Sequence, residues 1–201
     1  MGLTTLLYEE GQTPLDEDEK EGLLIPSVTT REELNEVEQR NIEEAIRWSI
    51  EVRRRFSAEK VLTEAFVLEI HQRMFGEVWK WAGTFRRTNK NIGVDKYSIP
   101  VELRILMDDC RFWISANTFS EDEVALRFKH RLVSIHCFAN GNGRHSRLMA
   151  DIIVEKLLNR AAFTWGSANL IHSGAFRSTY LAALREADNG NYQPLLIFAR
   201  S

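Results

Sequence analysis

From Thr30 almost to the last residue, apolar side chains return every three or four positions. That period fits helices packing on one another far better than strands. Helix signals bracket the apolar runs. Thr30 with Glu33 and Ser120 with Glu123 have the spacing of capping boxes, and Pro100 suits a first helical turn. The predicted elements are a long helix over 30–54, a second from Thr63 with Gly76 as its stop, and a third opening at Pro100. A fourth runs from Ser120 into His136, a fifth over 144–158, and two more over about 174–187 and 192–199. One segment, Trp79 to Ile99, lacks the period. Its aromatics, Gly83, Gly93 and polar turn formers predict a short β-hairpin or extended flap. Residues 1–28 read as an extended, exposed acidic lead-in with a short apolar anchor from Leu23 to Val28. The chain is thus expected to be mainly α and a single domain over 29–201, its core at about 60–190 and the 30–54 helix packed on it.

Composition narrows the setting. The 201 residues carry 26 Lys+Arg and 29 Asp+Glu, a formal net charge of −3, which does not suit a general nucleic-acid coat. With 44% hydrophobic residues the chain can bury a core. Two cysteines, Cys110 and Cys137, give no disulfide framework and fit a reducing, cytoplasmic setting. No apolar run approaches the ~20 residues that span a bilayer, and the acidic N-terminus does not resemble a signal peptide.

The chemistry is concentrated in IHCFANGNGRHSRL. A helix ends at His136, a glycine-bearing loop turns the chain, and a new helix begins near Arg144. Gly141 and Gly143 allow backbone N–H groups to converge, and a helix N-terminus adds its positive end. Arg144 and Arg147, three residues apart, share a helix face and can reach successive phosphates. His136 is the side chain there whose ordinary pKa suits proton transfer near neutrality. Taken singly, a helix-end histidine or a GxG is a structural feature. Together within twelve residues they describe a polyphosphate seat with a base beside it.

HCFANGNGRHSR resembles the Fic signature HxFx(D/E)GNGRxxR at every fixed position but one. The resemblance implies a Fic-type helical bundle with a hairpin flap, in a protein adenylyltransferase. His136 would deprotonate a Ser, Thr or Tyr hydroxyl of a target protein, which attacks the α-phosphate of ATP and releases pyrophosphate. Phe138 would anchor the loop, and Gly141, Asn142 and Gly143 would hold the α- and β-phosphates. Arg144 would face the β-phosphate and Arg147 the γ-phosphate. The flap at Asn91, Ile92, Gly93 and Val94 would register the target by strand pairing. Arg177, Tyr180, Leu181 and Leu184 resemble the family helix that borders the nucleotide. Asn140 stands where the family has Asp or Glu for Mg²⁺ (or Mn²⁺), which implies a weakened metal ligand. TTREELNEVEQRNI, FGEVWKWAGTFR, NKNIGVD and LLIFARS resemble a narrower branch, mobile mystery protein B, associated with mobile genetic elements.

Many members of the family carry an inhibitory helix with (S/T)xxxE(G/N), whose Glu pairs with the second motif Arg. Thr29 to Glu33 matches the first part, with Leu34 in place of Gly or Asn, and Glu38 on the same helix is a second candidate. The competing reading is a nucleotide- or target-binding regulatory module with weak or no transferase activity, because of Asn140. A neighbouring regulatory protein and self-association stay open. A thiol nucleophile at Cys137 lacks an orienting partner, and His130, His136 and His145 lack zinc spacing. His71 reads as a packing residue, and Trp79 with Trp81 as a buttress for the flap.

Overall fold

The computed structural model describes residues 14–51, 55–166 and 173–201. Helices α1 (Glu17–Lys20), α2 (Arg31–Ile50), α3 (Ala58–Val61) and α4 (Glu64–Phe75) form the first half. Helices α5 (Ile99–Ser115), α6 (Glu121–Ile135), α7 (Asn142–Ile152), α8 (Ser173–Asp188) and α9 (Gln193–Arg200) form the second. The side chains of Thr30, Thr63 and Ser120 accept the N–H three residues on, so the capping signals mark the true starts of α2, α4 and α6. α2 leans on α4, α5 on α6, α6 on α7, and α8 on α9. Phe66, Val67, Ile70, Leu103, Phe128, Met149 and Ile152 meet in one buried core. No helix among the described residues is long and apolar enough to cross a membrane.

Helix ends differ from the sequence expectation in instructive ways. α2 closes at Ile50 rather than continuing to 54, and residues 52–54 lie outside those described. α7 begins two residues earlier than expected, at Asn142, and its last turn widens into a π-turn over Ile153–Leu157.

The expected hairpin between Trp79 and Ile99 is absent. Among the described residues the only strand-type pairing is a single bridge from Leu23 to Trp79. The segment instead makes turns and a 3₁₀ turn at Lys96–Ser98. Side chains replace the ladder that a hairpin would have used. Asn89 donates to the Asp95 carboxylate at 2.9 Å and accepts from the Lys96 N–H at 2.8 Å, while Lys96 Nζ donates to the Arg87 carbonyl at 2.8 Å.

Residues 14–28 are a strap, not an exposed lead-in. Leu15 and Val28 are buried, and Leu24 N–H and the Gly22 carbonyl bond the main chain at Val78 and Lys80. Lys90 is nearly buried and pairs with Asp16 at 2.8 Å and Glu19 at 2.6 Å. The acidic run therefore has a physical use: it neutralises a lysine that the flap carries inward.

Candidate active site

The site is a loop between two helices, and its core is an aromatic anchor. Phe138 is fully buried and stacks on the His71 ring, with centroids 3.6 Å apart and planes within 18°. His145 meets Phe138 edge-on at 5.0 Å. Asn142 brackets the same residue through both ends of its amide: Oδ1 accepts the Phe138 N–H at 3.0 Å and Nδ2 donates to its carbonyl at 2.8 Å. The Asn142 side chain is thus a loop brace, and only its backbone faces the seat that the sequence suggested.

Two buried histidines complete the frame. His71 Nδ1 accepts the Gly83 N–H at 3.0 Å, which leaves Nε2–H to donate to the Asn140 carbonyl at 3.1 Å. His145 bonds the Val67 carbonyl through Nε2 at 3.0 Å. Burial pushes His71 well below its ordinary value and His145 down to about 4. The packing reading of His71 is correct but incomplete, since it also fixes the backbone at Asn140.

Gly141 has φ 79°, and a Cβ there would come within 2.5 Å of the Phe75 ring. Glycine is required on both counts. A Cβ at Gly143 would meet nothing within 4 Å, so space opens above the first turn of α7. The N–H groups of Asn142, Gly143 and Arg144 lie in that turn, where a helix supplies no acceptor of its own. This is the arrangement that binds phosphate.

Arg144 lies with its guanidinium carbon 4.9 Å from the Phe75 ring centroid and pairs with Glu38 Oε2 at 2.6 Å. Glu38 is 5% exposed, and its other oxygen accepts Trp79 Nε1–H at 2.6 Å. A carboxylate from α2 therefore occupies the first motif arginine, where the family pattern led us to expect the second. Arg147 stands by the Tyr180 ring at 5.7 Å, so α8 is brought to the α7 arginine. Leu184 packs on the core nearby in sequence, while the Arg177 side chain lies outside the described residues. Glu33 is spent on the cap of α2, accepting Thr29 and Thr30 N–H at 2.8 and 3.0 Å.

His136 caps α6 with φ 58° and ψ 62° and is 4% exposed. Burial, then the cations of Arg86 and Lys90, push its pKa down to about 4. The imidazole is neutral at physiological pH and can accept a proton. Gly93 of the flap sits directly on it: a Cβ there would be 2.7 Å from His136 Cβ. Arg86, absent from the sequence reading, is the main tie between flap and loop, with Nε donating to the His136 carbonyl at 2.6 Å. In FRRTNK it looks like one of several solvated charges.

Asn140 would offer a divalent ion an amide oxygen without a carboxylate's charge, and that oxygen is engaged within the loop. Its Oδ1 accepts the Gly141 N–H at 2.6 Å and lies 3.4 Å from Arg144 Nη2, a cation that opposes another. Among the described residues no three His, Cys, Asp or Glu side chains cluster to hold a metal.

The three buried histidines set an acid limit on the fold. Their ordinary value is 6.5, and the folded chain holds His136 and His145 near 4 and His71 well below its ordinary value. The unfolded chain then binds more protons below pH 6.5, so the stability is full above that pH and is lost as pH falls toward 4. Urea denaturation should show a loss on the order of 2 kcal/mol per histidine between pH 7 and pH 5. His145→Gln should flatten the profile, and a profile already flat in the wild type would contradict this reading.

Comparison with known proteins agrees with the geometry. Residues 61–154 match the Fic/DOC family model. The chain is 33% identical over 136 residues to a "Protein adenylyltransferase Fic" from Aedes aegypti, an alignment covering 66% of this chain and 26% of that protein. It is 35% identical over the same length to the protein of that name from Culex quinquefasciatus. The chain thus spans about a quarter of the length of the curated relatives it matches. In fold it superposes on Fic-1 (residues 134–508) from C. elegans with TM-score 0.63 and 23% identity, covering 90% of this chain and 51% of that one. It also superposes on BepC from Bartonella tribocorum, solved with bound AMPPNP, with TM-score 0.64 and 18% identity, covering 92% and 97%.

Proposed function

Because this chain is a Fic-domain protein, its Fic/DOC region at residues 61–154, we propose that it is a protein adenylyltransferase. It moves AMP from ATP to a Ser, Thr or Tyr hydroxyl of a target protein. The observation that carries the reading is the pairing of a neutral, buried His136 with the open first turn of α7 only six residues on. His136 takes the hydroxyl proton as the oxygen bonds to the α-phosphorus. The bond from that phosphorus to the β-phosphate oxygen breaks, and pyrophosphate leaves. Its growing charge is met by the N–H groups of Asn142, Gly143 and Arg144, and by the guanidinium groups of Arg144 and Arg147. Tyr180, Arg177 and Leu184 border the nucleotide. Asn91 to Val94 of the flap hold the target segment beside His136. A divalent ion, Mg²⁺ or Mn²⁺, would neutralise charge on the triphosphate, with the Asn140 amide oxygen as a weak, uncharged ligand. The quoted N-terminal and flap segments favour the mobile mystery protein B branch of the family.

Incubation with α-labelled ATP, divalent metal and lysate tests the activity. Label should pass to protein with the wild type and fall at least 100-fold with His136→Ala. Nucleotide binding without transfer, under every metal tried, would instead favour the binding-module reading.

Glu38 supports a second part of the proposal, a brake supplied by α2. It is nearly buried, and its grip on Arg144 competes with the phosphate that Arg144 would bind. Glu38→Gly should tighten ATP binding on the order of tenfold, about 1.4 kcal/mol, in calorimetry. Glu33→Gly should leave ATP affinity where it is, because its carboxylate serves the helix cap. Equal affinities for all three proteins would remove the brake from the account of regulation.

A further inference from the structure

His136 is a side-chain-bearing residue in the left-handed region, a strained conformation that persists only where neighbours hold it. One hold comes from its own helix: the His136 N–H donates to the Leu132 carbonyl at 3.3 Å. The other comes from the flap, through Arg86 Nε at 2.6 Å from the His136 carbonyl. The same guanidinium donates to the carbonyl of Val94 and, at 2.8 Å, to that of Thr88. It also approaches Asn89 Oδ1 at 3.4 Å. A rigid planar fork is suited to this, because its donors cannot move independently.

Main-chain bonds flank the same contact. Arg86 N–H donates to the Cys137 carbonyl at 2.9 Å, and Val94 N–H to that of Ile135 at 3.3 Å. The residues on either side of His136 are therefore tied to the two ends of the flap. Gly93, with φ 103°, closes the space between, since a Cβ there would lie 2.7 Å from His136 Cβ and 3.0 Å from Arg86 Nη2. Arg86 is 4% exposed, and the oxygens it bonds are carbonyls and one amide. The ionic groups around it and His136 are Lys90, held by Asp16 and Glu19 of the strap, and Asp95; the Cys137 thiol is kept neutral by burial.

We propose that Arg86 is a positioning residue that couples the flap to the base, so that the placement of Val94 and the aim of His136 are one mechanical variable. A target segment seated on the flap would then set the imidazole through Arg86 rather than by touching it. This role in transfer rests on the adenylyltransferase reading, whereas the coupling itself is a property of the fold and can be measured without turnover.

The test compares wild type, Arg86→Met and Arg86→Lys by amide-resolved NMR, AMPPNP affinity and AMP transfer to lysate protein. Arg86→Met should displace the resonances of both His136 and Val94, leave AMPPNP affinity within about twofold, and lower kcat roughly 100-fold, the loss expected from misplacing a reacting group by about 1 Å. Arg86→Lys keeps the cation but not the fork, so it should stay within about threefold of Arg86→Met in transfer and displace the same resonances. Should Arg86→Met fail to fold, Arg86→Gln supplies the same reading: its shorter amide cannot span the His136 and Val94 carbonyls, and both sets of resonances should move together. Movement of Val94 without His136, or a lysine variant that transfers AMP as fast as wild type, would overturn the coupling. A wild type that transfers no AMP would remove the adenylyltransferase reading alone, and the NMR comparison would still decide the coupling.

Discussion

The stacking of Phe138 on His71 is the contact on which the remainder of the site depends. A wholly buried phenyl ring contributes several kcal/mol, and here it pins the middle of the loop between α6 and α7. Upstream, the chain has to leave α6 through a left-handed His136. Downstream, it has to re-enter a helix through Gly141 against the Phe75 ring. With the middle fixed, both ends have little freedom. His136 and the first turn of α7 are then held a few residues apart.

Around that anchor, the polar groups are arranged to hold charge rather than to spread it. His71, His136 and His145 are kept neutral by burial, whereas Arg86, Arg144 and Lys90 remain cations with their donors engaged. Each cation is held by a different part of the chain: Arg86 by loop carbonyls, Arg144 by Glu38 of α2, and Lys90 by the strap. The N-terminal quarter of the described chain is thus part of the site's electrostatics. Removing it would uncover Arg144 and free Lys90 together.

Much of the fold was legible because helix caps and the apolar period are local signals. Thr30, Thr63 and Ser120 carry their own hydrogen bonds, so their meaning does not depend on distant residues. The GNGR stretch was legible for the same reason. Failures came where a side chain works at long range. Glycines and aromatics between Trp79 and Ile99 looked like a hairpin, but Arg86 and Asn89 satisfy the carbonyls and N–H groups a ladder would have used. The acidic start looked solvated because nothing local shows that Lys90, more than 70 residues away, needs it. Glu33 was a candidate because it matches the first part of the inhibitory motif, and Glu38 because it lies on the same helix. Tertiary position separates them, since one ends in a cap and the other reaches Arg144.

What unites these observations is the proposal that the first turn of α7 is a phosphate seat and His136 its base. Titration of the ¹⁵N-labelled protein with AMPPNP and divalent metal addresses that directly. The amides of Asn142, Gly143 and Arg144 should shift together and saturate at one nucleotide per chain, with Arg147 Nε following them. Binding that leaves those amides unmoved, or no binding at all once Glu38 is replaced, would contradict it.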